Sequence, residues 1–154
     1  MDSREIKAKS IATVRTKAVG REVRDRSNIS LIVLDKSLAE ALEGIDAFSH
    51  LFVIFWMHQT PIEERPALKV HPRGREDMPL VGAFATRTPY RPNPIGLTIV
   101  ELLKVEGNVL TVRGLDAIDG TPVLDIKPFD YWDVTEGVRV PVWWAKLEKG
   151  RKLD

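Results

Sequence analysis

Arg87 and Arg91, with Pro89, Pro92, Asn93 and Pro94, crowd into the stretch GAFATRTPYRPNPIGL. Proline locks its own backbone and biases its predecessor to extended geometry, so this segment is neither a helix nor a central strand but a stiff loop. Stiffness holds groups in a productive arrangement, and arginine beside asparagine suits an anionic or amide-rich ligand. On composition alone, a proline-rich turn closing a barrel competes with that reading.

Other chemistries are excluded by residue type. There is no cysteine, so disulfides, zinc-thiolate sites, iron-sulfur clusters and a thiol nucleophile cannot arise from this chain. The three histidines, His50, His58 and His71, form no His-x-x-x-His pair, and no metal site is expected. No G-x-G and no G-K-[ST] occurs, which removes the dinucleotide fingerprint and the phosphate loop. The N-terminus reads MDSREIKAKS and the longest apolar run is Leu51 to Met57, so neither a signal peptide nor a membrane span is predicted, and the expected compartment is the cytoplasm.

The net charge of +1 conceals an uneven distribution. Met1 to Arg26 carries eight Lys or Arg against four acids, whereas Gly114 to Gly137 carries six acids against Lys127 alone. One basic and one acidic surface would follow, although two ordinary solvated faces explain the counts equally well.

The elements that must position these groups are mostly strands. Ile11 to Val14 and Ile29 to Leu34 are β-branched runs of strand length, separated by a charged loop, GREVRDRSN. Ser37 with Glu40 makes a capping-box pattern for a two-turn helix that Gly44 would close. Leu51 to Trp56 (LFVIFW) is apolar at every position, as for a strand buried on both sides, with Trp56 in the core and His50 structural. Residues 58–79 hold four prolines and many charges, predicting a long irregular excursion. Gly96 to Val105 and Val109 to Arg113 read as a hairpin, Pro122 to Lys127 as another strand, and Pro141 to Gly150 as a terminal helix. The expected architecture is one mainly β domain over residues 1–154, a single β-barrel with short peripheral helices and no Rossmann fold.

Three blocks, taken in order, carry a family resemblance. GVFATRSPFRPNPIGLS, the signature of the TrmO (TsaA-like) family, is close to GAFATRTPYRPNPIGL; GIDAFSHLFVIFWMHQT and GLDAIDGTPVLDIKPF resemble two further blocks of that family, and together they cover Gly44 to Phe129. The resemblance implies a non-Rossmann barrel that binds S-adenosyl-L-methionine, a homodimer with its site near the subunit interface, and methyl transfer to the exocyclic amine of threonylcarbamoyl-adenosine beside the anticodon of tRNA. By motif position it places cofactor contacts on Met57, His58, Arg87, Leu97, Arg113, Gly114, Leu115 and Asp116, with a loose correspondence at Gly20 to Arg24. Arg87 would pair the carboxylate of the cofactor, Asp116 its ribose or ammonium, and backbone groups of Met57 or Leu115 its adenine.

An adenine amine is a poor nucleophile until its lone pair is released. Asn93 could accept from it, and His58 or Asp119 could take its proton, although a lone histidine at a strand end is structural more often than catalytic. Trp56, Tyr90, Trp132, Trp143 and Trp144 are candidates for base stacking or for an interface, and His71, Arg73 and Arg75 for phosphate. The family's bacterial members carry a C-terminal domain, expected to be absent because the chain stops about 25 residues after the third block. A methyltransferase with a small-molecule acceptor, and a non-enzymatic cofactor- or RNA-binding barrel, are the alternatives.

Overall fold

The structure is a computed structural model that describes residues 4–61, 63 and 68–148. Six antiparallel strands close into a barrel in the order β1-β2-β7-β6-β3-β8: β1 (Ala12–Arg15), β2 (Ile29–Leu34), β3 (His50–Trp56), β6 (Ile95–Glu106), β7 (Val109–Arg113) and β8 (Pro122–Pro128). Two short strands, β4 (Lys69–Val70) and β5 (Val81–Gly82), pair as a separate ribbon, and α1 (Val142–Glu148) follows the barrel. The mainly β architecture read from the sequence is the one observed.

Alternation of side chains along each strand builds the core. Val14, Ile32, Leu51, Val53, Leu110, Val112 and Val123 point inward with no exposed surface, and Leu115 joins them from the segment after β7. A small barrel fills its interior with such branched residues and leaves no lumen. Gly96 is the inward residue opposite Phe55. A Cβ there would overlap Cε2 and Cζ of the Phe55 ring and sit 2.9 Å from its Cδ2, so this position is closed to any side chain.

Several local expectations differ from the structure. The run Leu51 to Trp56 is not buried on both faces: Phe52, Ile54 and Trp56 are half-buried on the outer wall, because the barrel has only one interior. Trp56 is therefore not a core residue. The helix after β2 is a 3-10 helix, Lys36–Leu42, capped by Asp35 rather than Ser37; the Asp35 carboxylate accepts from the Ser37 amide at 3.0 Å. That bond holds the carboxyl of Asp35 below its ordinary range. Within GREVRDRSN, Gly20–Arg24 also turns into a 3-10 helix, with Val23 buried beneath it. The excursion after β3 is not wholly irregular, since it contains the β4–β5 ribbon. The terminal helix starts as expected beside Pro141, while Gly150 lies outside the described residues.

Because Gly96 yields its side-chain space to Phe55, Gly96→Ala should lower stability by about 1–3 kcal/mol, the usual range for overpacking. Adding Phe55→Leu should recover part of that loss in urea unfolding; equal stability of Gly96→Ala and the parent would contradict the packing.

Candidate functional site at one barrel rim

Antiparallel pairing decides which loops meet. Arg15 pairs with Leu31, Ile29 with Arg113, Trp56 with Ile95, and Thr13 with Pro122. The C-terminal ends of β1, β3 and β7 therefore share one rim with the N-terminal ends of β2, β6 and β8. Three connections emerge there: residues 16–28, the excursion from Met57 to Pro94, and residues 114–121. All the cofactor and catalytic candidates except Leu97 lie on these connections or at the strand ends they leave, and so does the loosely matched Gly20–Arg24 turn. The opposite rim carries the β2–β3 connection and the β6–β7 turn.

The rim is tied together by hydrogen bonds across the loops. The Met57 amide donates to the Pro94 carbonyl at 2.7 Å, locking the end of β3 to the proline-rich loop. The Gly114 amide donates to Asn28 at 2.9 Å, and the Gly120 amide to Val14 at 2.9 Å. Gly114 has φ +89°, and a Cβ there would come within 3.3 Å of the Arg26 carbonyl, so the turn after β7 approaches the 16–28 connection backbone to backbone. Asp119 accepts from the Thr16 amide at 3.1 Å and faces Arg15 at 3.7 Å.

The two signature arginines do different work. Arg91 turns inward on its own loop, Nη1 donating to the carbonyls of Thr86 at 3.0 Å and Thr88 at 3.3 Å, with its guanidinium 5.7 Å from the Phe84 ring. It is a brace. Arg87 is exposed, its guanidinium carbon lies 5.6 Å from the centroid of the Trp144 ring, and among the described residues no acceptor meets its N–H groups. Its donor edge is available for an anion.

His58 is half-buried, and its Nδ1 is fully buried with no hydrogen-bond partner among the described residues. Its Nε2 would lie 4.0 Å from a Cβ on Gly120, so the imidazole stands beside the Gly120 turn. A buried polar atom without a partner carries a desolvation penalty that a ligand group or water would relieve. Leu115 is completely buried, whereas Asp116 and Asn93 are exposed.

Other expected contacts are not brought to the rim loops. Leu97 is 61% exposed on the outer wall, beside Ile95 and Ile99. The Arg113 side chain also lies outside, bonded at 2.9 Å to Glu101, the residue opposite it on β6. Trp132 follows the far end of β8 and is 94% exposed there, away from the site. Tyr90 stands partly exposed on the signature loop, and His50 bonds Ser49 at 2.7 Å on the opposite rim. In the basic loop, His71 Nδ1 meets the Met78 carbonyl at 2.9 Å, Arg73 Nη1 donates to Leu147, and hydrogen bonds from Arg75 hold the carboxyl of Asp77 below its ordinary range. The contact of Trp144 with Arg87 had no signal in the sequence, since it joins residues far apart in the chain. No group of three or more His, Asp or Glu suited to a metal occurs among the described residues.

Residues 15–134 match the tRNA-methyltransferase O N-terminal domain. The chain belongs to the TrmO family. Among its relatives, a probable S-adenosyl-L-methionine-binding protein of Methanothermobacter thermautotrophicus is 42% identical, over 87% of this chain and 96% of the relative. A putative S-adenosylmethionine-dependent methyltransferase, RcsF of Pseudomonas aeruginosa, is 46% identical over 58% of this chain and 37% of its own length. The crystal structure of TrmO from Pseudomonas aeruginosa superposes with a TM-score of 0.73 at 29% identity, covering 92% of this chain. This chain spans 62% of that TrmO chain. The non-Rossmann barrel is thus the TrmO fold.

The contrast between the two arginines has a measurable consequence. Arg91→Ala should cost about 1–2 kcal/mol through the loss of its bonds to the loop carbonyls. Arg87→Ala should cost about 0.5–1 kcal/mol, the scale of an exposed cation–π contact. Urea unfolding of both variants checks this; a larger loss for Arg87→Ala would reverse the assignment.

Proposed function

We propose that this rim binds S-adenosyl-L-methionine and that the chain is a methyltransferase acting on the exocyclic amine of threonylcarbamoyl-adenosine in tRNA. The observation that carries this reading is the convergence of Met57, His58, Arg87, Asn93, Leu115, Asp116 and Asp119 at one end of a TrmO-family barrel. The Nδ1 of His58, without a partner among the described residues, and the donor edge of Arg87 both fit a zwitterionic ligand with several polar groups.

The chain's residues divide the ligand between them. Arg87 offers parallel N–H donors to a carboxylate, in the geometry that makes such pairs bidentate. Asp116 accepts from ribose hydroxyls or from an ammonium. The Met57 amide is already committed to Pro94, so its carbonyl, which also accepts from Thr60 at 3.3 Å, is the backbone group left to meet an adenine amine. When bound, the cofactor supplies a methyl group made electrophilic by the adjacent sulfonium. The protein then has to align the acceptor amine and exclude water. Asn93, on a loop fixed by Pro92 and Pro94, accepts a hydrogen bond from that amine, and His58 or Asp119 takes its proton. Arg21, Arg24 and Arg26 are exposed on the connection beside the site and suit phosphate.

The same reading includes a homodimer. Phe52, Ile54 and Trp56 on β3 lie opposite Ile99, Leu97 and Ile95 on β6, giving the outer wall a continuous apolar face that ends at the site rim. Such a face on a soluble chain marks an interface, and a second copy laid on it would bring Leu97 beside the rim.

Calorimetric titration with S-adenosyl-L-methionine, followed by transfer of labelled methyl to tRNA bearing the threonylcarbamoyl group, tests the activity. Binding with transfer is expected; binding with label moving only to small molecules would favour the alternative acceptor, and binding without any turnover would favour a cofactor-sensing barrel. No binding by the parent would overturn the whole reading. For the assembly, Leu97→Glu should convert a dimer to a monomer in sedimentation velocity, and a parent that sediments as a monomer would remove the shared-interface site.

A further inference from the structure

Helix α1 lies outside the segment that matches the family, yet it touches two of the loops discussed above. At its C-terminal end the Leu147 carbonyl accepts from Arg73 Nη1 at 3.0 Å, and the Leu147 side chain is buried. A helix end leaves carbonyls without intrahelical partners, and an arginine that satisfies one pins that end in place. One turn earlier, Trp144 carries the guanidinium of Arg87 over its ring at 5.6 Å. Trp143 packs beside it with ring centroids 5.6 Å apart at 58°, which limits how far the Trp144 ring can swing.

We propose that Trp144 is a positioning residue for the ligand site, holding Arg87 in the conformation that receives a carboxylate. The inference rests on the cofactor reading given above for Arg87. Arginine has a long side chain with many rotamers, and a ligand that must order it binds more weakly than one that meets it already ordered. A guanidinium held over a ring by its charge keeps N–H groups for an acceptor, and among the described residues none meets those of Arg87, so indole and carboxylate do not compete. Of the aromatic side chains, tryptophan offers the strongest face for a cation. The reach of α1 therefore extends from the outside of the barrel to an arginine whose donor edge is open. Arg73 acts further back, as an anchor for the helix.

Three variants separate positioning from packing. Trp144→Leu keeps apolar bulk without a π face, Trp144→Phe keeps a face, and Arg87→Ala removes the positioned group. Trp144→Leu should weaken S-adenosyl-L-methionine binding roughly three- to tenfold by calorimetry, while Trp144→Phe should stay within about twofold of the parent. In an Arg87→Ala background Trp144→Leu should have no further effect. Equal affinity of Trp144→Leu and the parent, or the same loss with and without Arg87, would overturn the proposal. A second readout needs no cofactor: the Nε–H resonance of Arg87 should carry a ring-current displacement that Trp144→Leu removes. A parent that fails to bind the cofactor would sink the functional reading alone, and the resonance would still decide whether Trp144 holds Arg87. A resonance that does not move on Trp144→Leu would show that it does not.

Discussion

Closure of the barrel between its first and last strands is the constraint on which the site depends. The β1–β8 seam has only two paired residues on each side, Ala12 with Val123 and Thr13 with Pro122. It is lengthened at the rim by the bonds from Val14 to Thr121, at 2.9 Å, and from Gly120 to Val14, and then by the Asp119 carboxylate reaching the Thr16 amide. Thus the turn that faces His58 is also the stitch that closes the barrel. Pairing of Phe55 with Val123 on β8 sets the end of β3 beside the 114–121 connection, and closure adds the end of β1, bringing Thr16 and Arg15 onto the same turn. Asp119 consequently carries two demands. Its acceptor positions are partly occupied by Thr16 and Arg15, which favours His58 over Asp119 as the group with spare hydrogen-bonding capacity.

Stiffness is distributed in a similar way. Pro89, Pro92 and Pro94 restrict the signature loop from within, Arg91 braces it by bonding two of its own carbonyls, and the Met57 amide fastens its end to β3. None of these interactions is strong alone, since a net hydrogen bond contributes only about 1 kcal/mol. Their effect comes from acting on one short segment, where each removes freedom that a ligand would otherwise have to freeze. Two exposed ion pairs, by contrast, belong to the outer surface: Arg113 with Glu101 and Lys104 with Glu106 join nearby strand positions in water, where such pairs contribute about 0–1 kcal/mol.

Much of this was legible in the sequence because strands and stiff loops have local signatures. The β-branched run Ile29 to Leu34 fell where the pattern put it, and so did the hairpin, with Glu106 joining the strand and leaving Gly107-Asn108 as the turn. The outer wall did not. A run of six apolar residues looks the same whether its second face meets a covering layer or water, and only the closed topology shows that Phe52, Ile54 and Trp56 face outward. The 3-10 helices were missed or misread for a different reason: one short turn buries one or two side chains, as at Val23 and Leu42, and leaves no periodic stripe. For the site, motif position identified residues but not their orientation. It chose Arg87 over Arg91 without showing that the first is exposed and the second bonds its own loop, nor that Leu115 faces the core and Arg113 the outer wall.

That last distinction changes how the motif is read. Residues Arg113, Gly114, Leu115 and Asp116 occupy one turn, but they serve four purposes: an outer ion pair, a left-handed bend against the 16–28 connection, an anchor in the core, and an exposed carboxylate. Of the four, only Asp116 holds an exposed carboxylate at the rim. Burial of Leu115 fixes the height of the turn above the core, and the bend at Gly114 fixes its approach to Arg26. The packing of Leu115 and the bend at Gly114 therefore help to place the carboxylate of Asp116. Such a turn resists substitution at every position for a different physical reason, and its compactness as a motif reflects packing as much as recognition.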